Sequence, residues 1–221
     1  NGLNINYGNI EFENSKSLVI KGDIESDLNL NKIDINKTFK NEILNSFEKI
    51  QLSGKIQSLF KINFDKTLKV IDYKVDTTGN IQKSYIKFKK PKKYLFIKNE
   101  INNLSLEKTE FKMGFSKDNK KSISIKGFYR ANDNLLQKFN FKNSNETSLE
   151  KFQINGDFDG EIFIPFINFS SKNKTVNINT LFEMNEDEIN LKKLILKEGK
   201  NKIDIKNLSL NSKKLVKLDN I

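Results

Sequence analysis

Apolar and polar residues alternate with period two along most of the chain. In the stretch 194–210, LILKEGKNKIDIKNLSL, the alternation runs to a polar turn at Glu198-Gly199-Lys200-Asn201 and resumes beyond it through Leu208 and Leu210. Ile62 and Phe64, Ile86 and Phe88, Ile123 and Ile125, Ile189 and Leu191, and Ile203 and Ile205 each flank a single Asn, Lys, Ser or Asp. Successive side chains on a strand point to opposite faces, so these runs predict strands with one apolar and one wet face. Short connections rich in Asn, Asp, Lys and Gly occur at Thr77-Thr78-Gly79-Asn80, Lys117-Asp118-Asn119-Lys120 and Lys172-Asn173-Lys174. They predict antiparallel hairpins strung into a long meander.

A repeat of the form apolar-x-apolar-x-Gly-x-apolar runs through this pattern. It occurs at Leu18-Ile20-Gly22-Ile24, Ile50-Leu52-Gly54-Ile56, Ile123-Ile125-Gly127-Tyr129 and Phe152-Ile154-Gly156-Phe158, with a degenerate copy at Val75-Thr77-Gly79-Ile81. All the named positions fall on one face. A glycine there leaves a gap among apolar side chains, where a strand bends, bulges or admits a neighbour. Recurring bends predict a curved sheet shaped as a groove.

The period breaks once. Phe39, Ile43, Leu44, Phe47 and Ile50 fall at helical spacing, with Asn36 or Thr38 to cap the start, so one amphipathic α-helix is expected near residues 37–50, covering one end of the apolar face. Two further stretches stand out. Glu161 to Phe169, EIFIPFINF, is apolar on both faces, and Pro165 cannot donate to a ladder, which places it at an edge or bend. Ile162, Phe163, Phe166 and Phe169 are therefore candidates for an edge or partner contact, with a buried corner as the alternative. Tyr85 to Lys98, YIKFKKPKKYLFIK, gathers four lysines around Pro91, which suits either a solvated turn or lipid headgroup phosphates.

Composition narrows the chemistry. Cysteine and histidine are both absent, which removes disulfides, thiol nucleophiles, the commonest metal ligand and the commonest general base. Carboxylate pairs and Ser-Lys arrangements remain, but no local motif selects one, so neither enzymatic activity nor a cofactor or metal is expected. The net charge of +11 favours an anionic partner, either nucleic acid or a membrane surface. Nucleic-acid binders lean on arginine for bidentate contacts, and this chain has very little, Arg130 being the example. No nucleic-acid partner is expected. The abundance of Lys, Asn, Ile and Phe is also what AT-rich codons produce whatever the function. No apolar run approaches the roughly 20 residues of a membrane-spanning helix. The pattern begins at once after Asn1-Gly2, so residues 1–221 read as one segment of a longer repetitive β protein.

A sheet with one apolar face must bury it, against a second sheet, in a closed barrel or under helices, or else offer it to an apolar ligand. Acyl chains are such ligands: each buried methylene is worth about 0.8 kcal/mol, so an apolar trough lowers the cost of moving one through water. About a dozen strands spaced roughly 4.8 Å apart would give a trough of roughly 55 to 60 Å. Its lining would be Leu18, Ile20, Ile24, Leu52, Ile56, Ile62, Phe64, Ile86, Phe88, Ile123, Ile125, Phe152, Ile154, Phe158, Leu194, Leu196, Ile203 and Ile205, acting by nonspecific solvation of acyl chains.

The stretch from Ile189 to Ile221, with Leu194-Ile195-Leu196-Lys197-Glu198-Gly199-Lys200-Asn201-Lys202-Ile203-Asp204-Ile205, resembles the repeating segments of the AsmA-like family of bridge-like lipid transport proteins, as do the glycine repeats and the helix expected after Asn36. The resemblance implies a periplasmic β-groove that carries phospholipid between the inner and outer membranes, anchored to the inner membrane by a segment outside these residues, with envelope protein partners and no catalytic residues. Two other readings stand beside it. One is a closed β-sandwich, a binding or structural module of an envelope or surface protein. The other is an outer-membrane barrel, whose strands of about 9 to 11 residues and aromatic girdles match these irregular runs less well.

Overall fold

The computed structural model describes residues 2–220 except 15–16, 34–44, 95–96, 119, 133, 146–148, 166–167, 172–174, 186–187 and 212–213, and no side chain beyond Ser209. Eight strands follow one another as antiparallel neighbours: β1 (Leu3–Asn14), β2 (Leu18–Asn31), β3 (Phe47–Phe64), β4 (Val70–Tyr94), β5 (Ile97–Ser116), β6 (Lys121–Ala131), β7 (Gln137–Asn145) and β8 (Glu150–Phe158). Two short strands, β9 (Phe163–Ile164) and β10 (Phe169–Ser170), then pair only with each other. The sheet resumes beside β8 with β11 (Val176–Met184), β12 (Glu188–Glu198), β13 (Asn201–Asn211) and β14 (Lys214–Asn220). The result is one 12-stranded antiparallel meander whose outer strands, β1 and β14, do not meet. The sheet is open.

The turns follow from their residues. Glu198 pairs with Asn201, which leaves the two-residue loop Gly199-Lys200, and Gly199 takes the φ of 57° that such a loop demands. Between β3 and β4 the Asp65 carboxylate accepts from the Thr67 hydroxyl at 2.7 Å and from the backbone N–H groups of Thr67 at 2.8 Å and Lys69 at 3.0 Å. These bonds, that from the Thr67 side chain foremost, hold its pKa below the ordinary carboxylate value.

Two sequence expectations change. Residues 34–44 of the expected helix lie outside the described residues, but from Phe47 the chain is already in β3, so Phe47 and Ile50 belong to the sheet. Their helical spacing has another cause. Phe47 opposes Phe88 while Lys49 opposes Lys87, so Glu48 is an extra residue, and this bulge puts two apolar residues three apart on one face. Likewise Thr77-Thr78-Gly79-Asn80 is no turn. It lies in the middle of the 25-residue β4, where Gly79 pairs with Ile56 on one side and Phe111 on the other. The turn expected at Lys117-Asp118-Asn119-Lys120 does join β5 to β6, with Asn119 outside the described residues, as is all of Lys172-Asn173-Lys174.

Among the described residues no second layer forms from the sheet. The chain exposes 14797 Å², whereas a compact monomer of its 25.7 kDa would expose roughly 10,400 Å². A core of fully buried apolar side chains is gathered mainly at one place, where Phe158, Ile162, Ile164, Val176 and Leu196 pack together against Ile97, Phe169, Ile178, Leu194 and Ile203.

Candidate functional site

Cross-strand partners share a face, so the registers trace what each face carries. One row runs Ile5, Ser26, Ile56, Gly79, Phe111, Ile125, Phe141, Ile154, Thr180, Leu194 and Ile205 from β1 to β13. The next row runs Gly8, Ile24, Ser58, Thr77, Met113, Ile123, Asn143, Phe152, Phe182, Leu191 and Leu208. No charged residue interrupts either row. The opposite face carries cross-strand ion pairs, Lys55 with Asp27 at 4.0 Å, Lys126 with Glu110 at 2.9 Å and Lys192 with Glu183 at 3.3 Å. Each is exposed and adds at most about 1 kcal/mol, but together they favour this register over a slip that would turn lysines into the apolar face.

The glycines of the repeat sit on the apolar face, each against bulk from the next strand. A Cβ on Gly79 would lie 2.5 Å from the Phe111 ring, and one on Gly22 would lie 2.2 Å from the Phe60 ring. At Gly54 and Gly156 the neighbouring backbone comes close instead, with the Asn80 carbonyl oxygen at 2.3 Å and that of Lys138 at 2.7 Å from such a Cβ. The repeat thus supplies space into which rings lie flat along the sheet.

Of the predicted lining, Leu18, Ile20, Ile24, Leu52, Ile56, Ile62, Phe64, Ile86, Phe88, Ile123, Ile125, Phe152 and Ile154 are partly exposed on this one face. Leu194 and Ile203 are partly exposed at the margin of the packed cluster, whereas Phe158, Leu196 and Ile205 are fully buried. The sequence reading missed the aromatic side chains that complete the face. Phe60 falls in period with the chosen Ile56, Ile62 and Phe64, whereas Phe111, Phe139, Phe141 and Phe182 lie in strands that contributed no chosen residue; there the alternations Phe111-Met113-Phe115, Phe139-Phe141 and Ile178-Thr180-Phe182 were the signal that could have found them. Phe152 stacks on Phe182 at 4.8 Å between ring centroids and lies 6.3 Å from Phe141, so three rings run side by side across β7, β8 and β11.

An apolar hollow lies on this face, a pocket of about 320 Å³ bounded by Leu104, Leu106, Ile125, Tyr129, Phe139, Phe141, Ile154, Gly156, Asp157 and Ile178. Its polar groups are turned away from it. The Tyr129 hydroxyl donates to the Asp157 carbonyl oxygen at 2.8 Å, and burial, with the charges of Asp157 and Asp159 adding to it, pushes the phenol pKa up to about 12. Tyr129 therefore stays neutral. Among the described residues no cluster of acidic side chains is arranged to hold a metal ion.

At one end of the strands the groove is roofed. The β4–β5 arm reaches past Ala131, the end of β6, and Asn132 holds it by accepting from the backbone N–H of Asn102 at 2.8 Å and donating to the Glu100 carbonyl at 2.9 Å. Ile97 then forms an antiparallel bridge with Ile162, and the Lys98 ammonium pairs with Glu161 at 2.7 Å. The Ile162–Phe169 stretch is a corner at this junction: Ile162 and Ile164 are buried, Phe169 is partly buried, Phe163 is exposed, and Phe166 lies outside the described residues. Pro165 opens its turn, with the Asn168 N–H donating to the Pro165 carbonyl at 3.1 Å. The lysine-rich arm is largely solvated. Lys87 pairs with Glu48 at 2.9 Å, Lys93 with Glu100 at 3.0 Å, Lys92 lies 5.8 Å over the Phe88 ring, and Lys89 and Lys90 are exposed.

Comparisons of the chain with protein-family models, with curated proteins and with solved structures returned no match.

Proposed function

We propose that this sheet is a segment of a lipid-conducting groove, binding phospholipid acyl chains along its apolar face and passing them between membranes of a bacterial envelope, as in the AsmA-like proteins that its repeats resemble. One observation carries the reading: two adjacent rows of an apolar face, free of charge across eleven paired strands and bordered at one end by the Lys121–Glu150 ion pair, stay partly exposed over most of their length. Monomers rarely expose apolar patches beyond a few hundred Å² without a ligand or partner for them. Twelve strands about 4.8 Å apart make a strip roughly 53 Å long. The pocket under Ile125 and Phe141 is one position on that strip for an acyl chain. No side chain on it has a catalytic task. Specificity for one lipid is not expected of such a surface, which offers methyl groups and ring faces and leaves headgroups in water.

The test is native mass spectrometry of the protein purified in mild detergent, followed by lipid extraction. Copurifying phospholipid that is lost in Ile125→Asp, with the variant still folded, is the expected result. A protein free of lipid under these conditions would send the reading elsewhere.

A second reading is recognition of an envelope protein by strand addition, and β1 is the observation that favours it. All twelve of its residues are exposed, its outer edge has no strand partner among the described residues, and Leu3, Ile5, Ile10 and Phe12 project from it 48 to 68% exposed.

A further inference from the structure

β8 and β11 pair directly from Glu150 opposite Met184 to Phe158 opposite Val176, so the ladder is complete without the residues between them. Residues 159–175 are thus an insertion, and its described residues Ile162, Ile164 and Phe169 pack on the apolar side of the sheet. Ile162 and Ile164 are 3% and 1% exposed, packed with Phe158, Val176 and Leu196 and bordered by Ile178, Leu194 and Ile203. The open pocket runs straight into this packing, because Ile178 belongs to both. Ile178 also stands in line with the pocket's floor, opposite Gly156 on β8 and Leu196 on β12. The groove surface therefore continues beneath the hairpin, and there its occupant is the chain's own pair of isoleucines.

What ties the inserted segment down lies outside the main ladder: at its base Asp159 accepts from the Asn134 side-chain amide at 2.7 Å and from the Leu135 N–H at 3.1 Å, and beyond it the contacts are to β5. The Lys98 N–H donates to the Glu161 carbonyl at 3.0 Å, Ile97 bridges Ile162, and the accompanying Lys98–Glu161 ion pair is solvent-facing. The Ser171 hydroxyl and N–H bond within the hairpin, to Gly160 and Ile162, and would leave with it. Releasing it would break none of the twelve-strand pairing.

We infer that this hairpin is a displaceable strap seated in an acyl-chain site of the groove. Phe158, Val176, Ile178, Leu194, Leu196 and Ile203 form the site, and a phospholipid tail advancing from the pocket takes the place of Ile162 and Ile164. The inference rests on the lipid-groove reading and adds to it a point of control. With the strap seated, the row through Gly156 closes at Ile178 on β11; with it lifted, that row runs on through Leu196 to Ile203 on β13.

The chain has no cysteine, so Ile97→Cys with Ile162→Cys gives a single defined pair. Antiparallel partners stand about 4.5 to 5.5 Å apart at Cα, within the span of a disulfide. Binding is read with phosphatidylethanolamine carrying a fluorescent acyl chain, presented in vesicles of phosphatidylethanolamine and phosphatidylglycerol, with circular dichroism checking the fold in both redox states. The reduced protein is expected to take up lipid as the parent does, and the oxidised protein to lose about tenfold or more in affinity, recovered on adding dithiothreitol. Equal uptake in the two states would make the hairpin a fixed wall, overturning the inference and leaving the groove intact. If the parent protein takes up no lipid, the groove reading fails and this inference with it. A second variant, Ile162→Ser with Ile164→Ser, loosens the strap without a crosslink and is expected to raise uptake. Unchanged or lower uptake in a folded protein would count against displacement.

Discussion

At Gly54 and Gly22 the same missing side chain does different work, and single substitutions separate the two. A methyl on Gly54 would press on backbone, 2.3 Å from the Asn80 oxygen and 3.1 Å from the Ile81 Cα, which moves only if β4 moves. Gly54→Ala is expected to cost about 1 to 3 kcal/mol, the usual range for overpacking, read as a lower urea midpoint. At Gly22 the obstacle is the tip of the Phe60 ring, which can swing toward the open groove. There the loss is offset by the reduced freedom of alanine in the unfolded chain, about 0.4 to 1 kcal/mol, so Gly22→Ala should be near neutral while shifting the Phe60 ring resonances. Tyr129 adds a pH signature. Burial first, then Asp157 and Asp159, raise its folded-state pKa to about 12, while the unfolded chain ionises near the ordinary value of about 10. Its contribution is intact below about pH 10 and is lost as the pH climbs toward the folded value. Tyr129→Phe should lower stability by about 1 kcal/mol at neutral pH through the lost bond to Asp157 and flatten the alkaline decline, as urea midpoints measured across that range would show.

At the scale of the strand, what could be read beforehand was the period, and what could not was where it slips. The strands from Leu18, Ile123 and Phe152 follow the alternation closely, and the Gly199 hairpin falls where its turn residues place it. Bulges break the count. Leu191 and Leu194 are three apart yet share a face, because Leu191 pairs with Phe182 and Lys193 with Leu181, leaving Lys192 as an extra residue against β11. Ile205 and Leu208 repeat the spacing on β13, with Asn207 at a φ of 52°. A slip of this kind at Glu48 gave Phe47 and Ile50 the spacing of a helix. Apolar residues three apart inside an otherwise alternating run are therefore as consistent with a bulged strand as with one turn of helix, and spacing alone does not separate them. The Thr77-Thr78-Gly79-Asn80 stretch failed for a different reason. Its composition is that of a turn, but long pairing on both sides, to β3 and β5, outweighs local preference. The apolar face was legible because alternation alone defines it. The roof over its far end was not, because the Ile97–Ile162 bridge joins residues far apart in sequence and nothing local to either announces the other.

Across the whole molecule, one apolar face meets two environments, and a buried charge tells them apart. Near Leu196, which is 3% exposed, the hairpin closes a true core. Around Ile125 the same face lies open along a pocket. Leu196→Asp puts a carboxylate among the apolar side chains of the packed cluster, so the acid must stay protonated or the packing must part. A loss of several kcal/mol is expected, enough to abolish a cooperative transition at a typical total of about 5 to 15 kcal/mol. Ile125→Asp leaves its carboxylate within reach of solvent, at a cost of about 1 to 2 kcal/mol in lost apolar burial. Urea unfolding followed by circular dichroism gives both numbers on one scale. A wide gap between the variants would mean that the central sheet holds its shape without burying its face, its strands kept in place by the ladder and by flanking side chains on the same layer. Equal, severe losses would mean that the face is core throughout and that the excess surface over a compact monomer lies elsewhere. The expected gap is what a groove requires: a scaffold stable with its apolar lining empty, so that an acyl chain can enter and leave without unfolding it.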